Sequence, residues 1–170
     1  RAYALGWAAR TSHGKSSATL MAGNGDRPVI VYVPIGLDPK QPVCVLTYFH
    51  GHKANVTEER LLAAFEALTQ TSPQTLIVVP RAAEDPFNTW LRAPESFTAL
   101  ERQAVGEAAR LSGVTELSVS IRIVSAHSGG GVALKNAAKQ GDLRADKINL
   151  LDSAYGSWAE VVTRWALAQP

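Results

Sequence analysis

A serine, Ser128, stands between an apolar run and a glycine-rich segment, and its near neighbours are small. Residues 120–125 predict a buried strand, and an alanine-rich segment that predicts a helix follows the glycines. A serine in such a strand-to-helix turn takes a strained backbone conformation, which requires residues without bulk two positions before and after it. Ala126 and Gly130 meet that requirement. The pattern therefore indicates a nucleophilic serine, with the N–H of Gly129 facing a developing oxyanion.

Other residues that could do chemistry also follow predicted strands. They are His50-Gly51-His52, the loop with Asn88 and Trp90, and Asp152. Ligands of parallel sheets bind where the strands end, so we expect these residues to share one edge with Ser128.

The elements that must position these residues alternate along the chain from residue 43. The predicted strands are residues 28–34, 43–49, 75–80, 120–125 and 147–151, and four helical patterns begin near Thr57, Ser96, Gly131 and Ser157. This order predicts a three-layer α/β/α fold with a mostly parallel sheet and right-handed crossovers. We expect Ser96 to cap the second helix. The first helix should bury one apolar stripe: Leu61, Leu62, Phe65 and Leu68.

With Phe49-His50-Gly51-His52, Ala126-His127-Ser128-Gly129-Gly130 and Asp152 in this order, the sequence resembles the α/β-hydrolase family. The resemblance covers roughly Val29 to Leu167. It implies a serine hydrolase that cleaves an ester or amide through an acyl-enzyme on Ser128, without cofactor or metal. It also implies that Asp152 is the acid of the catalytic triad and that His52 or Gly51 supplies the second oxyanion N–H. The family usually shows Gly-x-Ser-x-Gly, and Ala126 departs from it at the first glycine.

The expected base is a histidine downstream of the acid, but no histidine follows Asp152. Three explanations stay open. The base lies in a C-terminal strand and loop beyond residue 170, His13 or His52 serves in a rearranged site, or the chain is an inactive binding or scaffold module. We expect His50 to anchor its turn by hydrogen bonding, and His127 to turn away into the neighbouring structure.

Two other kinds of site fit the sequence less well. Gly129-Gly130-Gly131 with Asp152 downstream is similar to a dinucleotide site, but Leu134 stands where a small residue is required. His50 and His52 could converge on a metal ion, yet no further ligand stands close to them in the sequence.

Several of these residues also have purely structural interpretations. Asp152 could bond backbone N–H groups through Ser153 and Ala154. Trp90 and Tyr155 could line a pocket, although buried aromatic residues more often pack in a core. On the last predicted helix, Trp158 and Trp165 are most simply a core stripe.

The composition limits the remaining classes. The chain has 170 residues, of which 46% are hydrophobic and 19% charged, which predicts one globular domain with residues 1–27 as a leader and residues 28–170 forming the sheet and helices. A net charge of +2 without a basic run argues against nucleic acid as a partner, and no apolar run is long enough to span a membrane. The expected partner is a small-molecule or acyl-bearing substrate. The chain begins at Arg1 without a signal pattern, which predicts a mature product or an excerpt, and leaves localisation and oligomeric state undetermined.

Overall fold

The computed structural model describes residues 8–12, 16–22, 28–52, 58–81, 87 and 89–169. All five predicted strands are confirmed, and so are the four helices. The strands are β1 Ala8–Ser12, β2 Ser16–Ala22, β3 Pro28–Val33, β4 Val43–Phe49, β5 Thr75–Pro80, β6 Val119–His127 and β7 Lys147–Leu151. The helices are α1 Glu58–Thr71, α2 Ser96–Leu111, α3 Gly131–Lys139 and α4 Ser157–Leu167, and a short 3-10 turn, Ser128–Gly130, joins β6 to α3.

The described strands form one seven-stranded sheet in the order β1-β2-β3-β5-β4-β6-β7. Neighbours from β5 to β7 are parallel, whereas β1, β2 and β3 pair in antiparallel fashion and β3 is antiparallel to β5. Five strands, β2 and β4 to β7, consequently run in the same direction. The predicted α/β fold with a mostly parallel sheet is confirmed.

The segment expected to be a leader contributes β1 and β2 to this sheet. Strand β2 pairs with β3 from Ser17 opposite Val33 to Ala22 opposite Pro28, and β1 pairs in turn with β2. The segment is rich in small residues and lacks a β-branched run, so its sequence carries no clear strand signal. Its pairing depends on the backbone edge that β3 offers.

Helices cover the sheet on both faces, which gives the three predicted layers. Alternation in β4 directs Val43, Val45 and Phe49 to the face that carries α2, α3 and α4. On the opposite face, Phe65 of α1 packs against Ile30, Tyr32, Ile77 and Val79. Leu68 was expected to face inward with Phe65 but is 43% exposed, so that expectation is wrong. Within the described part of the chain, no helix combines the length and apolar character needed to cross a bilayer.

The first turn of α2 is capped from a distant part of the chain. The carboxylate of Asp142, which follows α3, accepts hydrogen bonds from the backbone N–H groups of Phe97 and Thr98 and from the Thr98 hydroxyl. The expected cap, Ser96, instead donates to the carbonyl of Ala93. The Ser96 expectation is therefore wrong, because a tertiary contact supplies the acceptor that the local sequence was expected to supply.

Candidate active site

Strand register brings the polar residues to one edge of the sheet. Phe49 of β4 pairs with Ala126 of β6, and His127 of β6 pairs with Leu151 of β7. Ser128 and Asp152 therefore follow a matched pair on adjacent strands, and the turn that begins at His50 leaves β4 beside them. The carboxyl ends of three parallel strands thus meet here, the place where ligands bind such sheets.

Ser128 is half-buried and has a left-handed backbone, with φ 49°. The chain reverses tightly at this residue, from extended β6 into the 3-10 turn that opens α3. A Cβ on Gly130 would overlap the carbonyl oxygen of Phe49 and lie 2.8 Å from its carbonyl carbon. The turn therefore needs a glycine at position 130. Ala126, two residues before Ser128, is fully buried.

The turn after β4 lies directly against Ser128. A Cβ on Gly51 would lie 3.1 Å from the Cβ of Ser128 and 2.7 Å from Nδ1 of His127. His127 is exposed, with its ring over Gly51. The expectation that His127 turns away into the neighbouring structure is wrong, because the two strand ends are close enough for its ring to rest on the Gly51 backbone.

His50 holds this turn from the inside. It is buried, and its Nδ1 lies 2.8 Å from the carbonyl oxygen of Gly51, so Nδ1 carries the proton and donates. Burial lowers the pKa of His50, and this effect outweighs the opposing hydrogen bond to Gly51. This hydrogen bond is the anchoring contact predicted from the sequence. His52, one residue beyond Gly51, is exposed.

The side chain of Ser153, in the loop that follows β7, is bonded to the backbone of Ser128. The hydroxyl of Ser153, a fully buried residue, donates to the carbonyl oxygen of Ser128 at 2.8 Å. The N–H of Gly131 donates to the same oxygen. A Cβ on Gly131 would lie 2.8 Å from the Ser153 carbonyl oxygen, so α3 begins tightly against this loop.

Asp152 is exposed and has a left-handed backbone, with φ 47°. Among the described residues, no hydrogen bond or ion pair engages its carboxylate, and α4 begins after Gly156 without a side-chain cap. The capping interpretation of Asp152 is therefore not seen in this part of the chain. Within the same part, His50, His52 and His127 make no hydrogen bond to Asp152 either, and His13 lies outside the described residues.

Phe87 is a supporting residue that sequence reasoning missed. Its ring meets those of Phe49 and His50 edge to face, with centroids 5.3 and 5.1 Å apart, and Trp90 packs on it at 5.5 Å. Trp90 is buried, and its carbonyl accepts a hydrogen bond from Asn136 at 2.8 Å. Trp90 therefore belongs to the core beneath the turn, and Asn88 lies outside the described residues.

The aromatic residues after Asp152 divide between surface and core. Tyr155 is 44% exposed and meets Trp158 edge to face at 5.5 Å. Trp158 and Trp165 are half-buried and pack against the main core, as the stripe interpretation predicts. In the described ranges, no three His, Cys, Asp or Glu side chains are grouped as a metal site would require.

No protein-family model and no curated protein matches the sequence, but solved structures match the coordinates. The feruloyl esterase module of Clostridium thermocellum complexed with sinapinate matches at a TM-score of 0.51 and 14% identity, over 96% of this chain and 61% of that one. This chain therefore shares its fold with that esterase module. Acetyl xylan esterase from Aspergillus awamori matches at 0.52 and 14% identity, over 84% of this chain and 50% of that one. Carboxyl esterase 2 from Tuber melanosporum matches at a TM-score of 0.51 and 14% identity, over 81% of this chain and 45% of that one.

The chain spans between 45% and 61% of the length of these three structures. At identities this low, the likeness concerns the path of the backbone and not the side chains of the site. The carboxyl edge of the sheet carries all four residues predicted for the site: Ser128, Gly129, His52 and Asp152.

Proposed function

We propose that the protein is a serine hydrolase that cleaves an ester or amide bond through an acyl-enzyme on Ser128. The observation that carries the proposal is the left-handed backbone of Ser128 at the carboxyl end of a central parallel strand, with the Gly51 turn against it. Strained backbone at a non-glycine residue is a feature of functional turns. The analogy with hydrolases of the same α/β-hydrolase fold also supports a hydrolytic function.

The chemistry begins with attack of Ser128 Oγ on the substrate carbonyl, whose π electrons move onto its oxygen while the serine proton passes to the base. The N–H groups of Gly129 and His52 hold the resulting oxyanion, each contributing about 3 kcal/mol to the transition state. Collapse of this intermediate expels the alcohol or amine, which takes the proton from the base. Water, activated by the same base, then hydrolyses the acyl-enzyme and restores Ser128.

Asp152 orients the imidazole that serves as the base. We place that imidazole outside the described residues, either at His13 or in a longer form of the protein. His50 is engaged with Gly51, His127 rests on Gly51, and His52 makes no hydrogen bond to Asp152 in the described part of the chain. The exposed carboxylate of Asp152, without a hydrogen bond to the described residues, is free to accept one.

We propose a carboxylic ester as the preferred substrate. The solved structures with this fold include a feruloyl esterase module, an acetyl xylan esterase and a carboxyl esterase. An ester also needs less assistance to its leaving group than an amide does, so it is the first class of substrate to assay.

The test is covalent labelling of the longest form of the protein that the gene encodes with a fluorophosphonate probe, followed by mapping of the labelled peptide. We expect labelling at Ser128, loss of labelling in Ser128→Ala, and unchanged labelling in Ser157→Ala, which removes an exposed serine at the start of α4. Labelling that persists in Ser128→Ala would overturn the assignment.

One observation favours a second function, a binding or scaffold module without turnover. None of the described histidines is hydrogen-bonded to Asp152, so the described residues hold no complete triad. Such a module shows no labelling and no ester turnover, and Asp152→Asn leaves its ligand affinity unchanged. A histidine about one strand beyond residue 170 in the gene would favour the hydrolase instead.

A further inference from the structure

We propose that Ser153 and His50 are a matched pair of positioning residues that aim the two N–H groups of the oxyanion site. The inference rests on the proposed function. Each side chain donates a hydrogen bond to one backbone carbonyl, Ser153 to that of Ser128 and His50 to that of Gly51, both at 2.8 Å.

Each of these hydrogen bonds also fixes the direction of the N–H group in the same peptide unit. In a planar trans peptide, the C=O of one residue and the N–H of the next point in opposite directions, and the described chain contains no cis peptide bond. A donor that holds the carbonyl of Ser128 therefore fixes the direction of the Gly129 N–H. In the same way, the bond to the Gly51 carbonyl fixes the direction of the His52 N–H.

Burial and close packing hold the Ser153 side chain in place against the carbonyl of Ser128. Its side chain is 0% exposed, and the Gly131 backbone lies against it on one side. The carbonyl of Ser128 also accepts the N–H of Gly131, so two donors converge on one oxygen. Because the Ser128 backbone is left-handed and strained, these bonds keep the peptide from relaxing toward an ordinary conformation.

His50 is held by its surroundings in the same manner. It is 8% exposed, and the ring of Phe87 meets its ring edge to face at 5.1 Å. The peptide that it orients lies at the turn whose Gly51 packs against Ser128. Two side chains from outside the reacting centre, one beyond β7 and one beyond β4, thus orient the two peptide units next to Ser128.

Loss of either hydrogen bond should affect kcat and KM differently. The N–H groups bond most strongly when the substrate carbonyl becomes an oxyanion, so misaiming them raises the energy of the transition state more than that of the bound substrate. Loss of Ser153 or His50 hydrogen bonding should therefore lower kcat and leave KM nearly unchanged. A residue that only supports the fold would lower the thermal stability without this selective loss.

The experiment compares Ser153→Ala and His50→Leu with matched controls in the full chain, using p-nitrophenyl acetate and a fluorophosphonate probe. Ser125→Ala is the control for Ser153, since it removes another buried hydroxyl, which accepts a hydrogen bond from Asn149 and makes none to Ser128. His50→Asn is the rescue for His50, because the Asn amide N–H can occupy nearly the place of Nδ1–H. We expect roughly tenfold lower kcat and labelling rate in the two test variants, with KM within twofold, and near-parent values in Ser125→Ala and His50→Asn.

The outcomes separate the two proposals. Activity or labelling that survives in Ser128→Ala, or a full-length protein that neither labels nor turns over, overturns the proposed function and this inference with it. If Ser128→Ala is inactive but the test variants match the parent in kcat, only the inference is overturned. Should Ser153→Ala fail to fold, Ser153→Cys decides, because it keeps the volume but donates weakly: a lower kcat at an unchanged Tm supports the inference, and an unchanged kcat overturns it.

Discussion

Gly130 lies against the end of β4 so closely that its Cα hydrogen faces the carbonyl of Phe49. A Cβ there would lie 2.8 Å from the carbonyl carbon of Phe49 and 2.9 Å from the carbonyl oxygen of His50. Both obstacles are backbone atoms, one in the last residue of a central strand and one in the residue after it, and backbone atoms cannot rotate away as a side chain can. The start of α3 and the end of β4 are therefore locked together at the point where Ser128 is presented.

Gly130→Ala should destabilise the protein by about 1–3 kcal/mol, because the methyl group forces two backbone segments apart. Fluorophosphonate labelling of Ser128 should fall as well. The matched control is Gly106→Ala in α2, where an added Cβ meets nothing within 4 Å and should stabilise the helix by about 0.5–1 kcal/mol. Urea unfolding of both variants measures the difference. Equal stability of the two would contradict the close contact.

Asp142→Ala should destabilise the protein by about 1–2 kcal/mol, since it removes the acceptor for the first N–H groups of α2. Asp142 is buried, so water replaces it poorly. Ser96→Ala, which removes only a bond to Ala93, should cost less. Thermal unfolding monitored by circular dichroism distinguishes them. A larger loss in Ser96→Ala would show that the local serine, and not the distant carboxylate, caps the helix.

Strand β5 could be predicted from the sequence, whereas the capping of α2 by the distant residue Asp142 could not. Strand β5 was predicted with its correct ends because Leu76, Ile77, Val78 and Val79 are consecutive, apolar and mostly β-branched, a signal contained in the strand itself. The strands β1 and β2 carry no such signal. They pair with the edge that β3 offers, and the residues of β1 and β2 alone do not indicate this pairing.

The candidate site divides in the same way. Ser128, Gly129 and Asp152 could be selected because strand ends can be read locally and parallel strands share a carboxyl edge. The contacts that hold them come from residues distant in sequence: Phe87 packs on His50, Ser153 bonds Ser128, and His127 rests on Gly51. No spacing rule in one sequence specifies which side chains meet there.

The stability of the protein should fall as the pH is lowered from about 7 through 6.5, partly because of His50. Burial lowers the pKa of His50 below its ordinary value of 6.5, and the positive charge of Arg81 adds to this. The unfolded chain therefore takes up a proton on His50 at a higher pH than the folded protein does, so lowering the pH favours unfolding until the folded pKa is also passed. In His50→Asn, this part of the pH dependence should disappear.

Urea unfolding between pH 5 and pH 8 measures this effect. The comparison variant is His52→Asn, which makes the same replacement at an exposed position of the same turn. A His50→Asn protein that loses stability with falling pH as steeply as the parent would contradict the assignment to His50.

Gly51→Ala should impair the site in a way that a second substitution partly repairs. The added methyl would lie 2.7 Å from Nδ1 of His127 and 3.1 Å from the Cβ of Ser128. The ring of His127 is exposed and can rotate away, or can be removed in Gly51→Ala/His127→Ala, whereas the Ser128 Cβ is fixed by the strained turn. We therefore expect the double variant to regain thermal stability relative to Gly51→Ala but to label more slowly than His127→Ala alone. Full recovery of labelling in the double variant would show that only His127, and not Ser128, needs a glycine at position 51.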